Sequence, residues 1–350
     1  MKKILILFMC VLMVGCQNVQ VADVETHEII DGLGRAVQVP VEVNKVGCIY
    51  AISGHITALL GEGEKIVSVT SGLKRDVMMM TLVPTLEEAT EPKNGGSINI
   101  EELLVNKPDV IFVASDIALN EAETAKLDKF KIPYLTVAFD SIEGQQNMVR
   151  MIGKVYGKSE QAEAYITYCN EKINEIANLT ASIDQPVNVY HSVNEATRTD
   201  PKDSIVEEWF EKTGMHLVST SDELKFISGD YYASLEQILE WNPQMIFVNE
   251  NGVDEYILTD SKWQSLDAVQ TEEVYMLPVG ISRWGHPNSL EIPFAMIFAG
   301  KKVYPEVFSD FDIESEMKYF YKTFFDVDVT DQMIEEILNG DGMRIRKDER

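Results

Sequence analysis

Asn99-Ile100-Glu101-Glu102-Leu103-Leu104-Val105-Asn106-Lys107-Pro108-Asp109-Val110-Ile111-Phe112-Val113 decides the fold, because the chain carries the same design twice. It aligns without a gap with Ser234-Leu235-Glu236-Gln237-Ile238-Leu239-Glu240-Trp241-Asn242-Pro243-Gln244-Met245-Ile246-Phe247-Val248. Each copy reads as a helix cap, a short helix, a proline-bearing turn and a continuous apolar strand. Asn99 and Ser234 are good N-caps, and Glu102 and Gln237 stand three residues on, where a side chain reaches back to the cap N–H. A short, wholly apolar strand is one covered on both faces, the habit of parallel sheets flanked by helices.

The same rhythm extends outward from both copies. Val46 to Tyr50, Ile66 to Val69 and Tyr134 to Val137 are further strands of the first half, with helical stretches from Gly54 to Gly61 and up to Phe130. Val187 to Tyr190 and Val274 to Leu277 are strands of the second half, with a helix at Asp203 to Thr213. Ile29 to Val43 alternates around Asp31-Gly32-Leu33-Gly34, a hairpin signal. From Ser159 to Ser182 no strand intervenes. Ala162, Tyr165, Ile166, Cys169, Ile173, Ile176 and Ala177 recur at helical spacing, with Ser159 placed to cap and Glu160 in the first turn. The expected fold class is α/β: two βα lobes joined by one long rigid helix, with a ligand cleft between the lobes. The expected divisions are 1–16 signal peptide, 17–27 tether, 28–158 N-terminal lobe, 159–183 linking helix, and 184–350 C-terminal lobe ending in helices between Glu291 and Leu338.

The N-terminus gives a location. Met1-Lys2-Lys3 precedes an apolar run from Ile4 to Val14 and then Gly15-Cys16. Two lysines, a short apolar core and a small residue before a cysteine make a bacterial lipoprotein signal. The lipobox Leu12-Met13-Val14-Gly15-Cys16 departs from the common pattern in Met13, where leucine is favoured. Cys16 is the expected lipidation site; the alternative is an ordinary secretory signal with a chance cysteine. Either way the chain is expected to be exported, and the lipid would tether it to the cell envelope, at the outer face of the cytoplasmic membrane or in the periplasm.

A net charge of −27, spread along the chain, disfavours nucleic acid as a partner. Arg344-Ile345-Arg346-Lys347 is a short basic run followed at once by Asp348 and Glu349, and reads as a frayed terminus. Cys48 and Cys169 read as buried thiols, a disulfide between them being the minority reading. No cysteine or histidine cluster suggests structural zinc, and Met78-Met79-Met80 reads as an apolar helix start. His27 and His216 read as ordinary structural or surface residues, while His191 ends a strand and is a candidate for the cleft wall. No GxSxG or HExxH motif is present, so an exported enzyme is a remote alternative.

With its lipoprotein signal, its long helix and above all Asn-Ile-Glu followed by Lys-Pro-Asp-Val-Ile, the chain resembles the substrate-binding proteins of ABC importers for ferric siderophores, haem and cobalamin, the helical-backbone class III. The resemblance extends to members that bind molybdate and tungstate. It implies a non-enzymatic protein without a cofactor, which hands a small-molecule metal complex, or alternatively an oxyanion, to a permease and ATPase complex. It also implies a docking role for Glu101 and Glu236, which occupy the same place in the two copies; in the family one exposed glutamate on each lobe pairs with permease arginines. The helix dipole alone would also justify a carboxylate in each first turn.

The ligand is expected at the C-terminal ends of the strands. In the first lobe this singles out Tyr50 and Ser53, where a strand opens into a helix, and the basic pair Lys74 and Arg75. In the second it singles out Arg198 and the loop carrying Arg283, Trp284 and His286. There Arg283 would fork onto an anionic group, Trp284 would supply a flat apolar wall, and His286 would donate a hydrogen bond or coordinate a metal. The competing reading is a rigid turn, with Trp284 in the core and Arg283 paired to a carboxylate such as Glu291.

Overall fold

The computed structural model describes residues 25–340 and 343–346. The signal, Cys16 and most of the expected tether lie outside these residues. Two four-stranded parallel sheets carry the two lobes. In the first the order is Ile66–Val69, Val46–Cys48, Val110–Val113, Tyr134–Thr136; in the second it is Met215–Leu217, Val187–Ser192, Met245–Val248, Val274–Met276. In each sheet the strand of the repeat lies beside the lobe's first strand, with Val46 opposite Val110 and Tyr190 opposite Ile246. Val110 to Val113 are buried throughout, as strands covered on both faces must be.

The caps form from the residues the repeat supplies, with one difference. Ser234 and Gln237 make a reciprocal capping box. Asn99 accepts the Glu102 N–H, but Glu102 turns away and accepts from the Glu91 N–H at 3.0 Å instead. The turns after both helices need a left-handed residue, supplied by Lys107 and Asn242.

The linking helix runs Ser159–Thr180. Its cap residue is Lys158 and makes no side-chain bond, so Ser159 is the first helical residue and not the cap. An amphipathic helix that the sequence reading did not separate, Ile142–Tyr156, precedes it and ends on left-handed Gly157. The two helices pack closely: a Cβ on Gly153 would stand 2.9 Å from that of Ala162. Tyr165 and Tyr168 of the linking helix meet Phe320 and Phe324 of the C-terminal helix Ile313–Phe325, so one aromatic cluster ties the link to the C-terminal helices. Cys48 and Cys169 are free and buried, Cys169 lying in this link. Met78 and Met79 are core residues. The hairpin Thr26–Ile30 with Ala36–Pro40 forms as expected, although it takes Thr26 and His27 from the expected tether. Buried Asp31 pins it to the sheet by accepting the Thr136 N–H and pairing with Arg35.

Candidate functional site

A polar cleft of about 890 Å³ opens where both lobes contribute. From the first lobe it takes Tyr50 and the segments that leave two strands, Ala114 to Asp116 and Val137 to Asp140. These are the C-terminal ends of the sheet, where chain reversals leave room for a ligand. From the second lobe come Arg198, Asp230 and His286 to Asn288. A larger open groove of about 1050 Å³ lies at the other end of the first sheet, between the N-terminal hairpin and the turns that enter the strands. It draws on one lobe only and is not a meeting place of strand ends, so the interlobe cleft is the better site.

Three of the expected ligand residues converge there: Tyr50, Arg198 and His286. Tyr50 donates to Asn288 Oδ1 at 2.6 Å, a bond that joins the lobes across the cleft. Burial pushes the Tyr50 phenol up to about 12, so it keeps its proton as a donor. His286 Nδ1 accepts the Asn288 N–H at 3.0 Å. Burial, reinforced by the nearby Arg283 charge, holds His286 well below the usual histidine range. The ring is therefore neutral at neutral pH, with its proton on Nε2. Arg198 is paired with Asp230 at 2.5 Å.

The other five expected ligand residues are placed elsewhere. Ser53 is buried and gives its hydroxyl to the Tyr50 carbonyl at 2.6 Å. Lys74 is held by the Glu87 and Ala89 carbonyls and by Glu91. Trp284 is fully buried against Phe294 and Phe298, so it is a core residue and not a cleft wall. Arg75 and Arg283 are both drawn into a buried ion cluster between the lobes. Arg75 meets Glu250 at 2.5 Å, and Arg283 meets the same carboxylate at 3.2 Å while bonding Asn194 and Asn249. Glu291, the other partner considered for Arg283, instead accepts from Ser282 and Tyr321.

Arg344 completes that cluster. It pairs with Asp76 of the first lobe and lies 3.6 Å from Glu250 of the second. Its neighbours Met343 and Ile345 exchange backbone bonds with Val77 and Arg75. The basic run is thus no frayed end at Arg344: Met343 and Arg344 are buried, with Arg344 bridging the lobes, while Ile345 and Arg346 are exposed. Burial alone would raise Glu250, but the Arg75 hydrogen bond and the three surrounding guanidinium charges outweigh it and hold the carboxyl below its usual range. Burial and the neighbouring Arg344 push Arg283 down to about 9, still charged at neutral pH. His191 is likewise enclosed, bonded to Asp200 at 2.7 Å and to Asn249, and does not line the cleft.

Lys93, Asp116, Asn147, Asp230 and Asn288 line the cleft without having been singled out from the sequence. Asn288 was the most accessible to reading, two residues beyond His286 in the same loop. Lys93 and Asp230 sit on hairpins that carry no shared pattern. Glu101 and Glu236 are both exposed in the first turns of their helices. Among the described residues, no group of three or more His, Cys, Asp or Glu side chains could hold a metal ion.

Residues 48–279 match the family model described as "Periplasmic binding protein". The chain is 27% identical over 322 residues to the molybdate-binding protein MolA of Haemophilus influenzae, covering 85% of this chain and 90% of that one. It is 21% identical over 320 residues to an uncharacterized ABC transporter substrate-binding lipoprotein, YvrC, of Bacillus subtilis, covering 87% and 97%. Its fold is similar to that of a periplasmic solute-binding protein from Veillonella parvula, with a TM-score of 0.75 at 26% identity over 91% of this chain and 100% of the other. The molybdate-bound MolA structure gives a TM-score of 0.78 at 23% identity, over 87% and 99%. The chain belongs to the periplasmic binding protein family and is an extracytoplasmic substrate-binding protein of the kind that serves ABC transporters.

Proposed function

We propose that the chain is the lipid-anchored binding component of an ABC importer that captures a small oxyanion of the molybdate type in the interlobe cleft. One observation carries the choice of ligand: the cleft is lined by hydrogen-bond donors from both lobes, Tyr50, Lys93, Arg198, neutral His286 and Asn288. Trp284, the aromatic wall expected for a haem or corrinoid, is enclosed in the core and does not line the cleft. The 27% identity to a molybdate-binding protein supports the same choice. A metal complex is the second reading, favoured by three carboxylates, Asp116, Asp140 and Asp230, in the same cleft. Calorimetric titration of the chain from Gln17 onward with molybdate, tungstate, ferric siderophores and haem separates the two. Binding of the oxyanions alone is expected; binding of a chelate alone overturns the assignment.

The exposed pair Glu101 and Glu236 supports docking onto a permease, each carboxylate standing at the same place on its lobe. Glu101→Ala with Glu236→Ala is expected to leave ligand affinity unchanged and to abolish uptake by cells that carry the cognate permease; normal uptake would remove the docking role. The lipid anchor rests on the Cys16 lipobox and is tested by Cys16→Ala, which should release the protein from the membrane fraction.

A further inference from the structure

The repeat extends further upstream than the residue pattern does. Immediately before the Asn99 cap lies a hairpin, Lys93–Asn94 paired with Ser97–Ile98 around Gly95-Gly96. Shortly before the Ser234 cap lies another, Lys225–Ile227 paired with Asp230–Tyr232 around Ser228-Gly229. The turn residues Gly95, Ser228 and Gly229 all have positive φ, as two-residue hairpin turns demand. Both hairpins reach the cleft, the first through Lys93 and the second through Ser228, Gly229 and Asp230.

Each lobe's cleft cation is already matched by a carboxylate of the same lobe. Lys93 stands 3.3 Å from Asp116, and Arg198 stands 2.5 Å from Asp230. The two pairs are built from unlike parts. In the first lobe the hairpin gives the cation and the short helix Ser115–Ala118 the carboxylate. In the second the hairpin gives the carboxylate, and the strand Arg198–Thr199, paired to it, gives the cation. A matched pair that arises from exchanged roles is not a simple by-product of duplication. All four residues line the cleft together with the exposed Asp140, so the formal charge of its lining is −1, from two cations and three carboxylates.

We propose that Asp116 and Asp230 are built-in competitors: they hold Lys93 and Arg198, yield them to an incoming anion, and take them back as the anion leaves. The proposal rests on the oxyanion reading above. Both carboxylates are partly open to solvent, 51% exposed at Asp116 and 33% at Asp230, so the exchange is with a weak, screened pair. The competitors therefore tune affinity and release without blocking entry.

The test is calorimetry of the mature chain with tungstate and with perrhenate, a monoanion of the same tetrahedral shape. Asp116→Asn and Asp230→Asn are each expected to tighten tungstate binding by about twofold to fivefold. The gain with perrhenate should be smaller, because a dianion feels the same change in potential twice over. Unchanged melting temperatures would show that the fold is intact. Weaker tungstate binding would make the carboxylates ligand contacts, and unchanged binding would make them spectators; either overturns the proposal alone. Absence of binding of both anions to the unsubstituted chain would overturn the oxyanion reading and the proposal with it.

Discussion

Two groups of cations face each other across a few residues of loop, and their fates differ. Arg75, Arg283 and Arg344 are enclosed between the lobes around Asp76 and Glu250. Lys93 and Arg198 stand in the open cleft, each with a carboxylate of its own lobe. Arg283 and His286 divide one loop between the two regions, three residues apart. The difference teaches that a basic residue at a strand end holds ligand only while it keeps water; once enclosed, its charge must be met by protein carboxylates, and it becomes part of the structure.

The largest test of this contrast is Glu250→Ala. It leaves buried Arg75 and Arg283 without a carboxylate and Arg344 with Asp76 alone, and urea unfolding should record a loss of about 3–5 kcal/mol. A loss below about 1 kcal/mol would mean that the cluster does not hold the lobes. Arg198→Ala should behave in the opposite sense. Tungstate affinity should fall tenfold or more, in line with about 1.5–3 kcal/mol for a charge-assisted hydrogen bond, with little change in stability. Arg283→Ala sharpens the same line: stability should suffer, and any loss of affinity should follow from the disturbed lobe contact.

Two pH effects come next. His286 is held below the ordinary histidine value near 6.5, so below that value the unfolded chain takes up the proton more readily and stability falls as pH falls. Glu250 is held below its ordinary value, so its contribution is present above about 4.3 and is lost further down. Thermal unfolding followed from pH 7 to pH 2 should therefore decline in two steps, the first below about 6.5 and the second below about 4.3, and His286→Gln should remove the upper one. The smallest effect compares the two helix caps. Gln237→Ala breaks a reciprocal box and should cost about 0.5–1 kcal/mol, whereas Glu102→Ala should leave its own cap intact and act through the Glu91 N–H. Equal responses of the two helix N-termini, measured by hydrogen exchange, would erase that distinction.

Much of the architecture was legible because it is local. The capped helices and the linking helix are written in a period of 3.6 residues and the buried strands in short unbroken apolar runs, and nearly the same residues form them here. The helix Ile142–Tyr156 was missed although its buried residues recur regularly, because no strand separates it from the link and Gly157 was not recognised as its end. The cleft hairpins were missed because two-strand ribbons of two or three residues offer too few positions for a period. Trp284 illustrates the limit for side chains: glycines and a proline around an arginine, a tryptophan and a histidine suggest a clamp, but the loop turns the indole onto Phe294 and leaves only the histidine at the cleft.

The sequence by itself determined the two-lobe α/β plan, the helical link, the paired glutamates and the strand ends around which the proposed cleft opens, since hydrogen bonding and apolar patterning act over a few residues. The tertiary structure alone decided which cations are spent. Arg75 finds its carboxylate 175 residues away and Arg344 finds Asp76 at a separation of 268, and no local pattern encodes such partners. Burial and counter-charge are properties of the assembled lobes, and they separate the arginines that bind the protein to itself from the one left facing the cleft.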